Sequence, residues 1–514
     1  MFSDADRARF AAAGIPPEEV DRQIALFTDP PPPMQLERPC TIGDGVQVLS
    51  TTDRAAALEA HAEASAAGRV SKFTPASGAA SRMFQSLLAV RGSGPLARAA
   101  VEARASAGEA DARETLRFAD NVDRFAFADA VRGALARGGR DPQALLDAGD
   151  LGALLDAVLD ANGLDYAAAP KGLLPFHRYP DGARTGFEEH LVEAAAVARD
   201  ARGIARLHFT VSPAHAERFA ALLEAVRAAH ERRSGARFDV GFSSQKPSTD
   251  TIAVDAENRP FRTAAGEVVL RPGGHGALIE NLQDLQADIA LIKNIDNVQP
   301  DHLRAITVEW MRVLGGHLAR LQRELAGHVA ALTSESPPSH AALSAARRCA
   351  AERLGLTIPA EAGAAELAQA LERPVRVCGV VRNTGEPGGG PFWVRGPSGR
   401  LTVQIVESAQ VDARDPAQAA VFDAATHFNP VLLACGLRNR AGRPFDLRAF
   451  IDPSAVFIAR KSFEGRELKA LERPGLWNGA MAHWITVFVE VPEAVFTPVK
   501  TANDLLGPAH QPPA

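Results

Sequence analysis

Cysteine is scarce in this 514-residue chain: Cys40, Cys349, Cys378 and Cys435 are the only four, and no Cys-x-x-Cys pair occurs. That excludes a zinc framework of paired cysteines and a disulfide-stapled scaffold. It suits a reducing, cytoplasmic compartment. No uninterrupted apolar run is long enough to span a bilayer, so no membrane partner is expected. Met1 to Phe10 is charged from the start, which argues against a signal peptide. An excess of positive charge is also missing: 56 Lys and Arg face 62 Asp and Glu, for a net charge of −6. That argues against a nucleic-acid partner but leaves room for a local basic pocket holding a small phosphorylated ligand. No repeat of fixed period occurs. What remains, 46% hydrophobic and 23% charged residues, is an ordinary globular composition with enough chain for one large core or several smaller ones.

Residues 1–30 read as a short helical lead, broken at Pro30 to Pro33, with a small strand near Ile42 to Leu49. Ala55 to Ala67 reads as a helix and Val70 to Thr74 as a strand running into a small-residue turn at Ser77. Met83, Phe84, Leu87 and Leu88 then form one apolar helical face, which puts the turn at a helix N-terminus, a favourable place for an anion. Leu207, Phe209 and Val211 alternate, as do Phe238, Val240 and Phe242, with a helix between them. This rhythm predicts a doubly wound α/β sheet. Ile289 to Ile292 is the continuous apolar run of a buried central strand, and Asp296 would stand at its carboxyl end, where ligands of such sheets bind. Residues 302–333 read as helix, with more helix to Leu371 after a linker at Ser334 to Ser339. Strand signals return at Val375 to Val381, Leu401 to Val406 and Ile485 to Val491. Pro508 to Ala514 reads as a loose tail.

Five segments carry candidate chemistry. Ser77-Gly78-Ala79-Ala80-Ser81-Arg82 is a small-residue turn whose N–H groups could approach phosphate, with Arg82 as a charge partner; the bland alternative is a tight turn capped by Ser81. Pro170-Lys171-Gly172-Leu173-Leu174-Pro175 offers a cation; the alternative is a solvated lysine in a proline-braced loop. Arg271 to Leu278 sets three glycines around His275, letting backbone lie against a flat ring or a sugar; the alternative is a turn with a surface histidine. Asp296 offers a carboxylate for Mg²⁺ or, equally, a helix N-cap. Phe496 to Leu506 brings Lys500 from the far end of the chain, which the alternative leaves solvated.

Together these segments resemble the UDP-sugar pyrophosphorylase family. The Gly78 turn is similar to that family's Gly-rich loop ending in Thr-Arg. Gln245-Lys246-Pro247 resembles its glutamine segment near the base, and Gly274-His275-Gly276 its Pro-Gly-His-Gly signature. Asn294-Ile295-Asp296-Asn297 resembles its Asn-x-Asp-Asn strand end. Val406-Glu407-Ser408 resembles a Val-Glu-Tyr-Ser stretch, and Phe496 to Leu506 the Pro-Val-Lys-x-x-x-Asp-Leu-Leu segment. A closer likeness is to a bacterial domain-of-unknown-function family, through Gln245 to Asp255, Arg271 to Leu282, Lys293 to Val298 and Leu471 to Met481. The turn has one glycine where the better-known enzymes have several.

The resemblance implies a GT-A-like, Rossmann-related nucleotidyltransferase core with a mixed, mainly parallel sheet. Residues 1–60 would be an N-terminal extension and 61–506 the catalytic domain. Helical insertions would fall at about 92–165 and 302–371, with a tail at 507–514. A nucleoside triphosphate, by expectation UTP, would be joined to a sugar 1-phosphate with release of pyrophosphate. Arg82, Lys171 and Lys500 would be catalytic. Ser77 to Ser81, Gln245 and Gly274 to Gly276 would hold the nucleotide. Glu386, Glu407 and Asn478 would meet the acceptor, and Asp296 would hold Mg²⁺. Two alternatives stand beside this: a GT-A glycosyltransferase, which usually carries an Asp-x-Asp motif absent at Asn294 and Asp296, and a nucleotide-sugar sensor without catalysis.

Overall fold

The computed structural model describes residues 2–137, 141–334, 336–385 and 388–513. At its centre lies a nine-stranded sheet. Seven strands form its body: β1 (Val70–Pro75), β2 (Ile204–Thr210), β3 (Arg237–Ser243), β4 (Ile289–Lys293), β5 (Val375–Arg382), β6 (His427–Gly436) and β7 (Ile485–Glu490). Their spatial order is β3-β2-β1-β4-β6-β5-β7, and the short strands Gly45–Gln47 and Thr41–Ile42 extend the β7 edge. Of the seven, β6 alone runs against its neighbours, antiparallel to both β4 and β5, while the other four pairings are parallel. The mixed, mainly parallel GT-A-like core expected from the sequence is therefore present. The order reverses between β1 and β4: the chain adds β2 and β3 on one side, then returns to place β4 on the other. A crevice for a ligand belongs at that switch point.

The strands read as apolar because they are covered on both faces. Along β4, Ile289 and Leu291 enter one core, with Val70, Val377 and Val487. Ala290 and Ile292 enter the opposite core, with Phe73, Cys378, Cys435 and Phe488. Fully burying each large side chain of this kind is worth roughly 1.5–3 kcal/mol. On the first face lie α1 (Thr51–Ala66) and the 29-residue α4 (Arg304–Leu332), packed against each other. A Cβ on Gly316 would stand 1.7 Å from the Ala57 carbonyl oxygen, so only glycine admits this crossing. Beside β2 and β3 lie α2 (Gly186–Val197), opened by a Thr185–Glu188 capping box, and α3 (Ala216–Ser234).

The insertion expected near 92–165 is helical in its described part. Its core, Phe118, Phe125, Phe127, Leu155 and Val158, also holds Ala80, Met83, Phe84, Val298, Val499 and Ala502. It thus braces the small-residue turn and the carboxyl-terminal segment from one side. Three local expectations need correction. The helix after the small-residue turn starts at Gln85, behind a 3-10 turn at Ala80–Arg82, and Ser81 does not cap it. Ile42 to Leu49 holds two short strands rather than one. The described residues after Pro508 are held down: His510 is buried, with Nδ1 2.9 Å from His177 Nε2. His177 Nδ1 lies in turn 2.8 Å from Glu189 Oε1. The pairing of residues 333 apart gave the sequence reading no local cue.

Buried histidines make the fold sensitive to acid. Burial pushes His61 and His317 down to about 4, and burial with His177 nearby pushes His510 down to about 3, from the ordinary 6.5. Each is neutral when folded and takes up a proton on unfolding between about pH 6.5 and 4. The unfolded state binds more protons there, so stability falls as pH drops through that window. The urea midpoint at pH 5 should lie clearly below that at pH 7; an equal or higher midpoint overturns this reading.

Candidate active site

Three loops meet at the carboxyl ends of β1 and β4. β1 delivers Ala76 to the small-residue turn, and the Ala76 N–H is tied to the Thr210 carbonyl of β2. The loop carrying Lys171 lies alongside: Ala79 faces Pro170 in an antiparallel bridge, Lys171 N–H donates to Gly78 O at 3.1 Å, and Ala80 N–H to Ala169 O at 2.9 Å. β4 runs on into Asp296, whose carbonyl accepts from Val499 N–H at 3.0 Å, while Asn297 bridges Pro498. The carboxyl-terminal segment then crosses to the first loop, where Ala502 N–H donates to Met83 O at 2.9 Å.

Lys171 is the knot. Its ammonium donates to Asp296 Oδ2 at 2.9 Å and to the Val499 carbonyl at 2.8 Å. The Lys171 side chain is only 12% exposed and that of Asp296 23%, so this is not the solvated loop lysine of the bland reading. Nor is Asp296 a helix cap: its carboxylate holds Lys171, and α4 begins at Arg304 behind Leu303. Asp296 Oδ1 makes no hydrogen bond with a described residue. Beside this pair the N–H groups of Ser77, Gly78 and Ala79 donate to no described residue, and a Cβ on Gly78 would meet nothing within 4 Å. Arg82 is exposed on the 3-10 turn that follows. Lys500 is exposed, with Nζ 5.8 Å from the centre of the Phe496 ring.

Gln245 lies on the same sheet edge, just past β3. Two strand spacings, roughly 10 Å, separate β3 from β1. Asn281, in the helical turn that follows Gly276, donates to Ser243 Oγ at 2.8 Å and to the Ser244 carbonyl at 2.9 Å, tying the glycine-histidine turn to this end of the edge. The turn itself faces protein. His275 is half-buried, its ring stacked on Trp477 at 4.3 Å, and its Nδ1 accepts from Leu476 N–H at 3.1 Å. A Cβ on Gly276 would strike the Pro474 carbonyl oxygen at 2.1 Å. Gly276 serves close packing against the backbone of residues 473 and 474, and one face of the half-buried His275 ring is taken by Trp477.

Glu407 and Asn478 come together around the same tryptophan. Trp477 Nε1 donates to Glu407 Oε1 at 3.1 Å, and Asn478 Nδ2 to Gln410 Oε1 at 3.2 Å. No hydrogen bond or ion pair among the described residues joins this group to Lys171 and Asp296. Glu386 lies outside the described residues. A cavity of about 680 Å³, lined by Arg373, Gln404 and Trp484, sits at the amino-terminal ends of β5 and β7, the far edge from Lys171. The candidate site is an open sheet edge and lies apart from that cavity.

Over residues 3–511 the sequence matches the family described as "Domain of unknown function (DUF4301)". The chain belongs to the DUF4301 family. No curated protein matches it. Among solved structures it is similar to a UDP-glucose phosphorylase from Trypanosoma brucei, at 14% identity and a TM-score of 0.47, covering 98% of this chain and 77% of that one. A Trypanosoma brucei uridine diphosphate N-acetylglucosamine pyrophosphorylase aligns at 13% identity and a TM-score of 0.46, covering 98% and 79%. Leishmania major UDP-glucose pyrophosphorylase aligns at 12% and 0.42, with the same shares. TM-scores below 0.5 leave the fold to rest on the strand order given above.

The DUF4301 chain holds one group that the sequence reading missed. Lys72 of β1 and Lys293 of β4 are wholly buried and share the buried carboxylate of Glu193, at 2.5 Å to each oxygen. Burial pushes Lys72 down to about 7, against the pull of Glu193. Burial also pushes the Glu193 carboxyl up, but Lys293 and Lys72 outweigh it and hold it well below its usual range. Lys72 also lies 2.5 Å from His190 Nδ1, and His190 Nε2 lies 3.2 Å from the Asn294 carbonyl. Burial first, then Lys72, keeps His190 neutral, so it accepts at Nδ1 and donates at Nε2. The chain of contacts props the loop that presents Asp296. Its signal in the sequence was a lysine inside an apolar strand, Lys72, and the helical spacing of His190 and Glu193.

Proposed function

We propose that the DUF4301 protein is a nucleotidyltransferase that joins a nucleoside triphosphate, UTP by preference, to a sugar 1-phosphate and releases pyrophosphate. The convergence of Lys171, Asp296 and the Val499-Lys500 segment beside the exposed N–H groups of Ser77, Gly78 and Ala79 supports this most strongly. An anion-binding turn, cations and a carboxylate at a topological switch point suit a triphosphate. In this reading the base lies toward Gln245 and the phosphates toward Gly78.

An oxygen of the acceptor phosphate attacks the α-phosphorus as the bond to the bridging oxygen breaks, and pyrophosphate carries away the electron pair. Such transfer needs positioning and charge neutralisation more than covalent help. Arg82 and Lys171 neutralise the leaving pyrophosphate. Lys500 meets charge at the α-phosphate or the acceptor phosphate. Glu407 and Asn478 take the acceptor's hydroxyls. Mg²⁺ fits Asp296, because Oδ1 is uncommitted and this ion accepts a single protein carboxylate completed by water and phosphate oxygens. Bound there it would supply charge for the α-phosphate and the acceptor.

A pyrophosphate-release assay of the four triphosphates against a panel of sugar 1-phosphates, with Mg²⁺, tests the reading. UTP should turn over best; faster turnover with another triphosphate overturns the donor and leaves the reaction class. In Lys171→Ala the rate should fall on the order of a hundredfold or more. Because Lys171 ties Asp296 to Val499, this variant should also lose roughly 1–3 kcal/mol of stability. Wild-type turnover in the folded variant rejects the role of Lys171.

A further inference from the structure

The carboxyl-terminal half of α4 carries Glu324 and His328, four residues apart and hence on one helical face. Cys349 follows at the start of a π-turn, Cys349–Arg353, which closes the next helix. Ligand atoms of Glu324, His328 and Cys349 all lie within 4.8 Å of one another. Cys349 Sγ stands 3.6 Å from Glu324 Oε1, close to the separation of two ligands on one tetrahedral ion with a metal–sulfur bond of about 2.3 Å and a metal–oxygen bond of about 2.0 Å.

We propose that Glu324, His328 and Cys349 form a binding site for a borderline divalent transition-metal ion of the zinc class, distinct from the sheet edge at Asp296. The donor set decides the class. Thiolate and imidazole select zinc-like ions, whereas magnesium takes oxygen ligands. Three protein ligands leave a fourth position for water, and the half-buried Glu324 and His328 give access from solvent.

Three observations point the same way. His328 makes no hydrogen bond or ion pair with a described residue, so its ring is uncommitted. Arg353 Nη1 donates to Glu324 Oε2 at 2.6 Å, which orients the carboxylate and leaves Oε1 toward the thiol, as outer partners of metal ligands do. The helix breaks its register at Cys349 itself, and π-turns concentrate at functional positions. Cys349 is buried, and coordination would form the sulfur–metal bond and release the thiol proton to solvent.

Titrating the full-length protein with Co²⁺ tests the site. One ion per chain should bind with an intense near-ultraviolet thiolate-to-cobalt band, and equimolar Zn²⁺ should abolish the band. Zn²⁺ should raise the melting midpoint where the same concentration of Mg²⁺ leaves it unchanged. Cys349→Ser should lose the band, and His328→Gln should weaken binding by at least roughly tenfold, the cost of removing even an outer partner. His328 is half-buried and unbonded, so its variant keeps the fold and carries the test if Cys349→Ser does not. Stoichiometric Co²⁺ binding without the band, or unchanged Zn²⁺ affinity in His328→Gln, overturns the proposal.

Discussion

Asp296→Asn should abolish Mg²⁺-dependent pyrophosphate release while moving the melting midpoint by only a few degrees. The substitution keeps the shape of the side chain and removes its charge. The Asp296 carboxylate pairs with Lys171 in a partly shielded setting, where one ion pair contributes on the order of 1 kcal/mol. In a chain of this length that is a small thermal shift. The proposed role in turnover is far larger. A charge contact made where negative charge gathers in the transition state is worth on the order of a hundredfold or more in rate. Arg82 and Lys171 cannot replace a divalent ion at that spot, because each brings a single positive charge. Steady-state rates across a Mg²⁺ series, with thermal melts of both proteins, decide it. Full activity in Asp296→Asn at limiting Mg²⁺ would reject the metal role.

The largest loss of stability should come from Glu193→Gln. The Glu193 carboxylate is the shared counter-ion of Lys72 and Lys293, all three wholly buried. Removing one partner of a buried ion pair typically costs about 3–5 kcal/mol, because the remaining charge stays desolvated and unpaired. Here two ammonium groups are orphaned at once. Urea unfolding of Glu193→Gln should show a loss at the upper end of that range. A loss under about 1 kcal/mol would mean that both lysines discard their protons without strain, and the assignment of a charged triad would fall. The same variant loosens the support that runs through His190 to the Asn294 carbonyl, so activity at a temperature where it stays folded should fall as well.

Much of the architecture was legible in the sequence, for local reasons. Ile289 to Ile292 read as a buried central strand, and the alternating Phe238, Val240 and Phe242 as a further strand of the same sheet. The order of short motifs along the chain anticipated that Lys171, Asp296 and the Lys500 segment would share an edge. What stayed hidden depends on partners far away in sequence. Glycines at 274 and 276 read as room for a ligand, but the room at Gly276 is filled by the Pro474 carbonyl. His275 read as either a ligand contact or a surface residue, and the stacking of Trp477 on its ring had no local cue. Lys72 sat unremarked in an apolar strand because its counter-ion lies 121 residues away. Pro508 to Ala514 had the composition of a tail, yet His510 meets His177 and Gln511 donates to the Arg124 and Leu505 carbonyls.

The carboxyl-terminal segment has a consequence for synthesis of the chain. Residues 498–510 clasp Asp296 and Met83 and dock on His177, yet they leave the ribosome after every other piece of the site. The amino-terminal portion begins to fold as it emerges. β1 and β4 can pair, with Lys171 near Asp296, long before the strap that carries Lys500 exists. A nascent chain therefore holds an unfinished edge from the synthesis of Asn297 to that of Pro498, and the activity proposed above would begin in one late step, when the strap is drawn across. Timing of activity is thereby tied to completion of this segment, and a chain truncated ahead of residue 498 should build the sheet yet remain inert.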